Sequence, residues 1–295
     1  MQQNHDTNAF ASTETSGHGS VFAIGGHENI EVLEAFVSQC GGTGASLVVL
    51  STAATDADKK ADQYGSAFNK LGVDEVSIFH PESRADGRAD HLLAALDRAD
   101  GVFLTGGNQL KLVSTLAGTP VEERLHERYR AGLHIGGTSA GAAAMSAVMI
   151  ARGKGRSAAR LSSIRMSPGF GFLRQVIIDQ HFRERDRFGR LLAAVLCNPS
   201  MLGFGLDEDT AFVAAADGQV SVHGKGTLTI VDGSHLEATD IDFVANTKPA
   251  GFTGMRMHVL TPGWTYDLKS RRGTKRPMAA PTADSNAENP EPAFG

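Results

Sequence analysis

Three times along this chain an apolar run of strand character stops at a glycine-bearing turn, and a helical pattern follows. The runs are Val21-Phe22-Ala23-Ile24 with Gly25-Gly26, Gly101-Val102-Phe103-Leu104 with Thr105-Gly106-Gly107-Asn108-Gln109, and Leu133-His134-Ile135 with Gly136-Gly137-Thr138-Ser139-Ala140-Gly141. Apolar strands alternating with helices imply a mostly parallel sheet covered on both faces. In a doubly wound sheet such turns gather at the carboxyl ends of the strands, where ligands bind. One pattern therefore restricts both the fold class and the place to look for a site.

The rest of the chain fills in around these junctions. Ile30, Leu33, Ala35, Phe36 and Val37 repeat at helical spacing up to Cys40-Gly41-Gly42, and residues 45–51 read as a second buried strand. A helix is predicted over 56–71, a strand over 75–79, and helices over 90–97, 110–116 and 121–130, the last opened by Pro120. Residues 142–149 favour helix, and 151–169, rich in Gly, Ser and Arg, read as a mobile loop near the site. Val176-Ile177-Ile178 is a short strand. A helix is expected from Arg183, with Phe188, Leu191, Leu192, Val195 and Leu196 on one face. Beyond Val213 only short β segments are predicted, at 220–222, 226–231 and 255–260. The expected fold is α/β: a three-layer, doubly wound, mostly parallel sheet with a C-terminal antiparallel β extension. Residues 20–268 form one domain in this reading, with 1–19 and the basic-headed 269–295 as disordered tails.

With 295 residues, 41% hydrophobic and a net charge of −5, the chain suits one large domain and lacks the basic excess of a nucleic-acid surface. Small molecules or peptides are the expected partners. Cys40 and Cys197 sit among apolar, helix-like residues, which points to buried free thiols in a reducing compartment and offers no metal site. No apolar run spans a bilayer, and the start lacks a basic segment followed by an apolar block, so the expected location is cytoplasmic, away from membranes.

Chemistry concentrates on Ser139. In Gly137-x-Ser139-x-Gly141 the glycines remove the Cβ atoms that would block a sharp strand-to-helix turn, leaving a hydroxyl exposed at a helix start. The same pentapeptide also suits a tight turn with a serine cap, and the Gly106-Gly107 loop also suits a phosphate. A nucleophilic serine needs a base and a group that fixes the base. His181, directly after a strand, is the candidate base; His126, His134 and His223 fall inside helices or strands by pattern. Glu208 is the candidate orienting acid, though spacing does not separate it from Asp207 and Asp209. The amide of Ala140, with a glycine amide at Gly107, would make an oxyanion hole.

Taken together, Thr105-Gly106-Gly107-Asn108-Gln109, Gly137-Thr138-Ser139-Ala140-Gly141-Ala142, Asp179-Gln180-His181-Phe182 with Arg185, Arg187 and Arg190, and Gly205-Leu206-Asp207-Glu208-Asp209-Thr210-Ala211 resemble the cyanophycinases. These belong to a serine peptidase family that also holds aspartyl dipeptidases and shares the layout of class I glutamine amidotransferase domains. The resemblance implies an exopeptidase that needs no cofactor and cuts cyanophycin, an arginine-bearing poly-aspartate, into β-Asp-Arg dipeptides. It implies Ser139 as nucleophile, His181 as base and Glu208 as orienting acid, with a homodimer as assembly. It further implies a substrate groove lined by Gln109, Asp179, Gln180, Arg185, Arg187 and Arg190. Guanidinium forks suit the carboxylates of such a polymer, and Asp179 suits its arginines. Read without the resemblance, the three arginines are a solvated helix face paired with Glu184 and Asp186. An aspartyl dipeptidase acting on short peptides is the alternative enzyme, and a catalytically silent binding protein the alternative of another class. The chain departs from the family pattern at Gly26-His27-Glu28-Asn29, where a small residue and an acidic pair are expected.

Overall fold

Strand β1 (Val21–Ile24) divides its side chains between two cores, Val21 and Ala23 on one face and Phe22 and Ile24 on the other. A strand buried on both faces is the mark of a sheet sandwiched between helices. The computed structural model, which describes residues 17–155 and 158–275, repeats this division across the sheet. Most of the expected tails, 1–16 and 276–295, lies outside the described residues.

Helix α1 (Ile30–Gln39), capped by the Asn29 side chain, leads to β2 (Ser46–Leu50), and α2 (Ala57–Lys70) to β3 (Glu75–Phe79). Both helices pack on the Phe22 face through Phe36, Tyr64 and Phe68. Next come α3 (Asp90–Arg98), β4 (Gly101–Leu104), α4 (Gln109–Leu116), α5 (Pro120–Arg130), β5 (His134–Thr138) and α6 (Ala140–Ala144). These helices bury Leu92, Leu112, Leu125 and Ala142 against the opposite face. Strands β1, β5, β4, β2 and β3 lie side by side in that order, all parallel, so the turns after β1, β4 and β5 open at one edge.

The second half begins with β6 (Val148–Arg152), β7 (Arg165–Pro168), β8 (Val176–Gln180), α7 (Phe188–Cys197) and β9 (Leu202–Leu206). Short strands follow: β10 (Thr210–Ala214), β11 (Gln219–Gly224), β12 (Leu228–Asp232), β13 (Ala238–Thr239), β14 (Phe252–Thr253), β15 (Arg256–Leu260), β16 (Trp264–Asp267) and β17 (Arg272–Lys275). Strands β10, β11, β16 and β17 continue the main sheet beyond β1 in antiparallel pairs. A separate sheet runs β15-β12-β9-β8, with β8 parallel to β9.

Several expectations are corrected. The helix at 142–149 stops at Ala144, because Met149 and Ile150 are buried on a strand instead. The loop expected over 151–169 is narrower than that span: its ends, 151–152 and 165–168, belong to the paired strands β6 and β7, and a 3-10 turn lies at Leu161–Ser163. The helix expected from Arg183 begins at Phe188; residues before it make a turn in which Asp186 takes a left-handed φ of 47°. Residues 269–275, expected in the tail, turn on the Asp267 carboxylate and pair as β17 with β16, so the order extends past 268. Cys40 is buried but Cys197 is exposed at the end of α7, and neither is in a disulfide. Among the described residues no helix is long and apolar enough to cross a membrane.

Candidate active site

Ser139 lies between β5 and α6 at φ 52° and ψ −109°, a conformation L residues adopt only when their surroundings impose it. Its amide donates to the Ile24 carbonyl at 3.0 Å, and its carbonyl accepts the Ala143 amide at 3.0 Å. A Cβ at Gly141 would stand 2.1 Å from the Leu104 carbonyl oxygen, so glycine alone lets α6 press onto the end of β4. The turn thus lifts the Ser139 hydroxyl to the strand edge. Ala140 is the first residue of α6, where an amide has no acceptor within the helix. The neighbouring Gly106-Gly107 turn comes up against Ser139, and Gly107 and Ser139 border one cavity of about 730 Å³.

His181 directly follows a strand, as expected, and that strand, β8, belongs to the second sheet, from which the ring reaches Ser139. Its amide donates to the Gly25 carbonyl at 2.8 Å, tying the end of β8 to the end of β1. Nε2 stands 2.9 Å from Ser139 Oγ and Nδ1 stands 2.6 Å from Glu208 Oε1. Burial pulls the imidazole below its ordinary pKa, Glu208 works against that shift, and the positive charge of Arg185 adds to it. The ring is therefore neutral near pH 7, with Nδ1–H donated to the carboxylate and the Nε2 lone pair facing the hydroxyl.

The loop between β9 and β10 separates the three acids that spacing left together. Asp207 is buried and accepts from the Thr227 amide and hydroxyl and from the Arg183 amide. Asp209 turns at a φ of 51° and its amide donates to the Gly26 carbonyl at 3.0 Å. Only Glu208 faces His181.

The expected groove residues fare differently. Asp179, Gln180, Arg187 and Arg190 are buried beneath the site. Arg190 makes a two-pronged pair with Asp179, through Nε at 2.7 Å and through a second, shorter contact, and donates to the Gly153 carbonyl. Arg187 bonds the Gln180 backbone and side-chain oxygens, stands 3.5 Å from Asp179, and is lowered by burial to about 10, so it keeps its charge. These four satisfy one another instead of walling the cavity. Gln109 donates to the Ile150 and Ala151 carbonyls and anchors the β6–β7 hairpin. Arg185 alone of the set is exposed.

The cavity wall instead includes Glu28, Asp56, Lys59, Lys60, Gln63 and Tyr64, which sequence reasoning missed as site residues. Glu28 accepts from Thr138 Oγ1 at 2.7 Å and from the Tyr64 hydroxyl, next to the serine. Its place in the turn after β1 was the available signal.

Residues 20–222 match the model of peptidase family S51. The chain belongs to peptidase family S51. This S51 peptidase is 37% identical over 263 residues to a cyanophycinase of Synechococcus elongatus, covering 87% of this chain and 82% of the relative. It is 37% identical over 265 residues to a cyanophycinase of Geminocystis herdmanii, covering 88% and 96%. Among solved structures, a peptidase from an acI-B1 actinobacterium superposes with a TM-score of 0.63 over 85% of this chain and 97% of that one, a likeness of fold at 19% identity.

Proposed function

We propose that this S51 peptidase is a cyanophycinase: a serine exopeptidase that hydrolyses the α-peptide bonds of cyanophycin and releases β-Asp-Arg dipeptides. The observation that carries the chemistry is the line of hydrogen bonds from Ser139 Oγ through both nitrogens of His181 to Glu208. The substrate assignment rests on relatives of that name that match most of both chains. The scaffold is read as class I glutamine amidotransferase-like, with Ser139 on a nucleophile elbow in the single domain of residues 20–268.

In the first half-reaction Ser139 Oγ bonds to the scissile carbonyl carbon while His181 Nε2 takes the hydroxyl proton. Glu208 stabilises the imidazolium that results. The negative charge on the tetrahedral oxygen faces the amides of Ala140 and Gly107. Collapse breaks the C–N bond, and His181 returns the proton to the leaving amine. Water then adds to the acyl-enzyme under the same base, and the ester bond to Ser139 breaks.

Recognition follows from charge. A polymer carrying both carboxylates and guanidinium groups meets Lys59 and Lys60 on one hand and Asp56 and Glu28 on the other along the cavity, with Arg185 exposed beside His181. The buried Asp179, Gln180, Arg187 and Arg190 support the turn that carries His181. A homodimer in the cytoplasm completes the reading.

Mass spectrometry of a cyanophycin digest tests it: soluble β-Asp-Arg is expected, absent with Ser139→Ala. Cleavage of an Asp-x dipeptide with the polymer left intact would replace it with an aspartyl dipeptidase.

A further inference from the structure

His27 is not needed for the relay just described, yet it stands over it. It follows Gly26 in a turn where both residues have positive φ, 112° and 47°, and its side chain is 72% exposed. The turn is fixed from two sides, by the Asp209 amide on the Gly26 carbonyl and by the His181 amide on the Gly25 carbonyl. It holds the His27 ring at 5.7 Å from that of His181, edge to face, with Nε2 at 3.6 Å from Glu208 Oε1. One donor atom from each of His27, His181 and Glu208 lies within 4.8 Å of the others. A tetrahedral zinc with ligands at about 2.0–2.1 Å sets its donors about 3.3 Å apart. The His27–Glu208 spacing is already close to this. The His181–Glu208 spacing has to open slightly, and the exposed His27 side chain is free to swing inward.

We propose that His27, His181 Nδ1 and Glu208 form a binding site for a divalent ion of the zinc class, and that the ion switches the peptidase off. Two imidazoles and a carboxylate are the donor set such ions prefer, with a fourth position for water. The switch is a matter of one proton. In the active enzyme the neutral His181 carries its proton on Nδ1 and offers the Nε2 lone pair to Ser139. When the metal takes the Nδ1 lone pair, that proton moves to Nε2, and no proton leaves the ring. Nε2 then donates to Ser139 Oγ and has no lone pair left to accept the hydroxyl proton. Glu208, now bound to the ion, no longer receives Nδ1–H. Removing the metal with a chelator restores the original tautomer.

The inhibitory half rests on the functional reading above; the binding half does not. The experiment therefore has two arms. In the first, cyanophycin hydrolysis by the wild type and by His27→Ala is titrated with buffered zinc, each relative to its own metal-free rate, and then reversed with EDTA. Loss of even an outer partner of a metal site costs about 10–100-fold in affinity, so losing a ligand should raise the half-inhibiting zinc concentration at least that much. In the second arm Ser139→Ala and Ser139→Ala/His27→Ala are titrated with cobalt(II). The single variant should show the intense visible bands of a tetrahedral ion, and the double variant should not. Equal zinc sensitivity of wild type and His27→Ala, or cobalt spectra that do not depend on His27, overturns the proposal. Should the wild type release no dipeptide at all, the functional reading fails, and the cobalt arm still decides whether the site exists.

Discussion

Gly26 lies against the imidazole of His181: a Cβ on it would stand 2.2 Å from Cε1 and 2.7 Å from each ring nitrogen. The absence of a side chain at the end of β1 is thus what leaves room for the proposed base. Gly26→Ala must push the ring away from Ser139, and its φ of 112° adds backbone strain. A displacement of about 1 Å costs on the order of 10²-fold in rate. The expected result is a folded protein by circular dichroism with kcat reduced about 10²-fold; an unchanged kcat would show that the ring is not used where it stands.

The relay makes unequal demands on its members. Ser139→Ala removes the nucleophile and should lower cyanophycin hydrolysis by at least about 10⁴-fold. Glu208→Gln keeps the shape but no longer holds Nδ1–H or stabilises the imidazolium, and a loss of about 10³–10⁴-fold is expected in kcat with little change in KM. By contrast Asp209→Asn, one residue along, should retain activity, since its carboxylate makes no contact with His181. Steady-state kinetics on the three variants checks this order.

The pH dependence follows from the surroundings of His181. The base works only when neutral, and its pKa is held below 6.5 by burial and by Arg185. The acid limb of kcat/KM should therefore fall below pH 6.5. Arg185→Gln removes a positive charge that disfavours the imidazolium, so the pKa rises and the limb moves to higher pH. A limb that stays in place or moves to lower pH contradicts the assignment of His181 as the titrating base.

Much of this arrangement was legible in the sequence because it depends on local geometry. The glycine turns after β1, β4 and β5 announce themselves through residues that are adjacent in the chain, and so does the alternation that buries Val21 and Phe22 on opposite faces. What was not legible is decided by partners far away in sequence. Glu208 differs from Asp207 only because Thr227 and the Arg183 amide satisfy the latter. The basic stretch 269–275 reads as solvated, yet the Asp267 turn folds it back onto β16. Arginines at 187 and 190 suggest an exposed face, whereas Asp179 on β8 draws both inward.

That last relationship yields a prediction that separates two roles for Asp179. Its carboxylate is fully buried between Arg190 and Arg187, and no other carboxylate is paired with either guanidinium among the described residues. Asp179→Ala would leave two buried cations with no counter-charge, and breaking a buried pair in this way costs about 3–5 kcal/mol. Arg187 ends the turn that begins at His181 and Arg190 lies in the first turn of α7 that follows it, so the damage should reach the base as well. Urea unfolding should show a lower midpoint at unchanged slope, and kcat should fall with it. A substrate contact predicts the reverse: normal stability, normal kcat and a raised KM. Arg190→Met sharpens the comparison, because it removes one cation, keeps the aliphatic volume and leaves Asp179 with Arg187 at 3.5 Å. It should destabilise less than Asp179→Ala if the cluster is a support, and should raise KM as much as Asp179→Ala if the cluster holds the polymer.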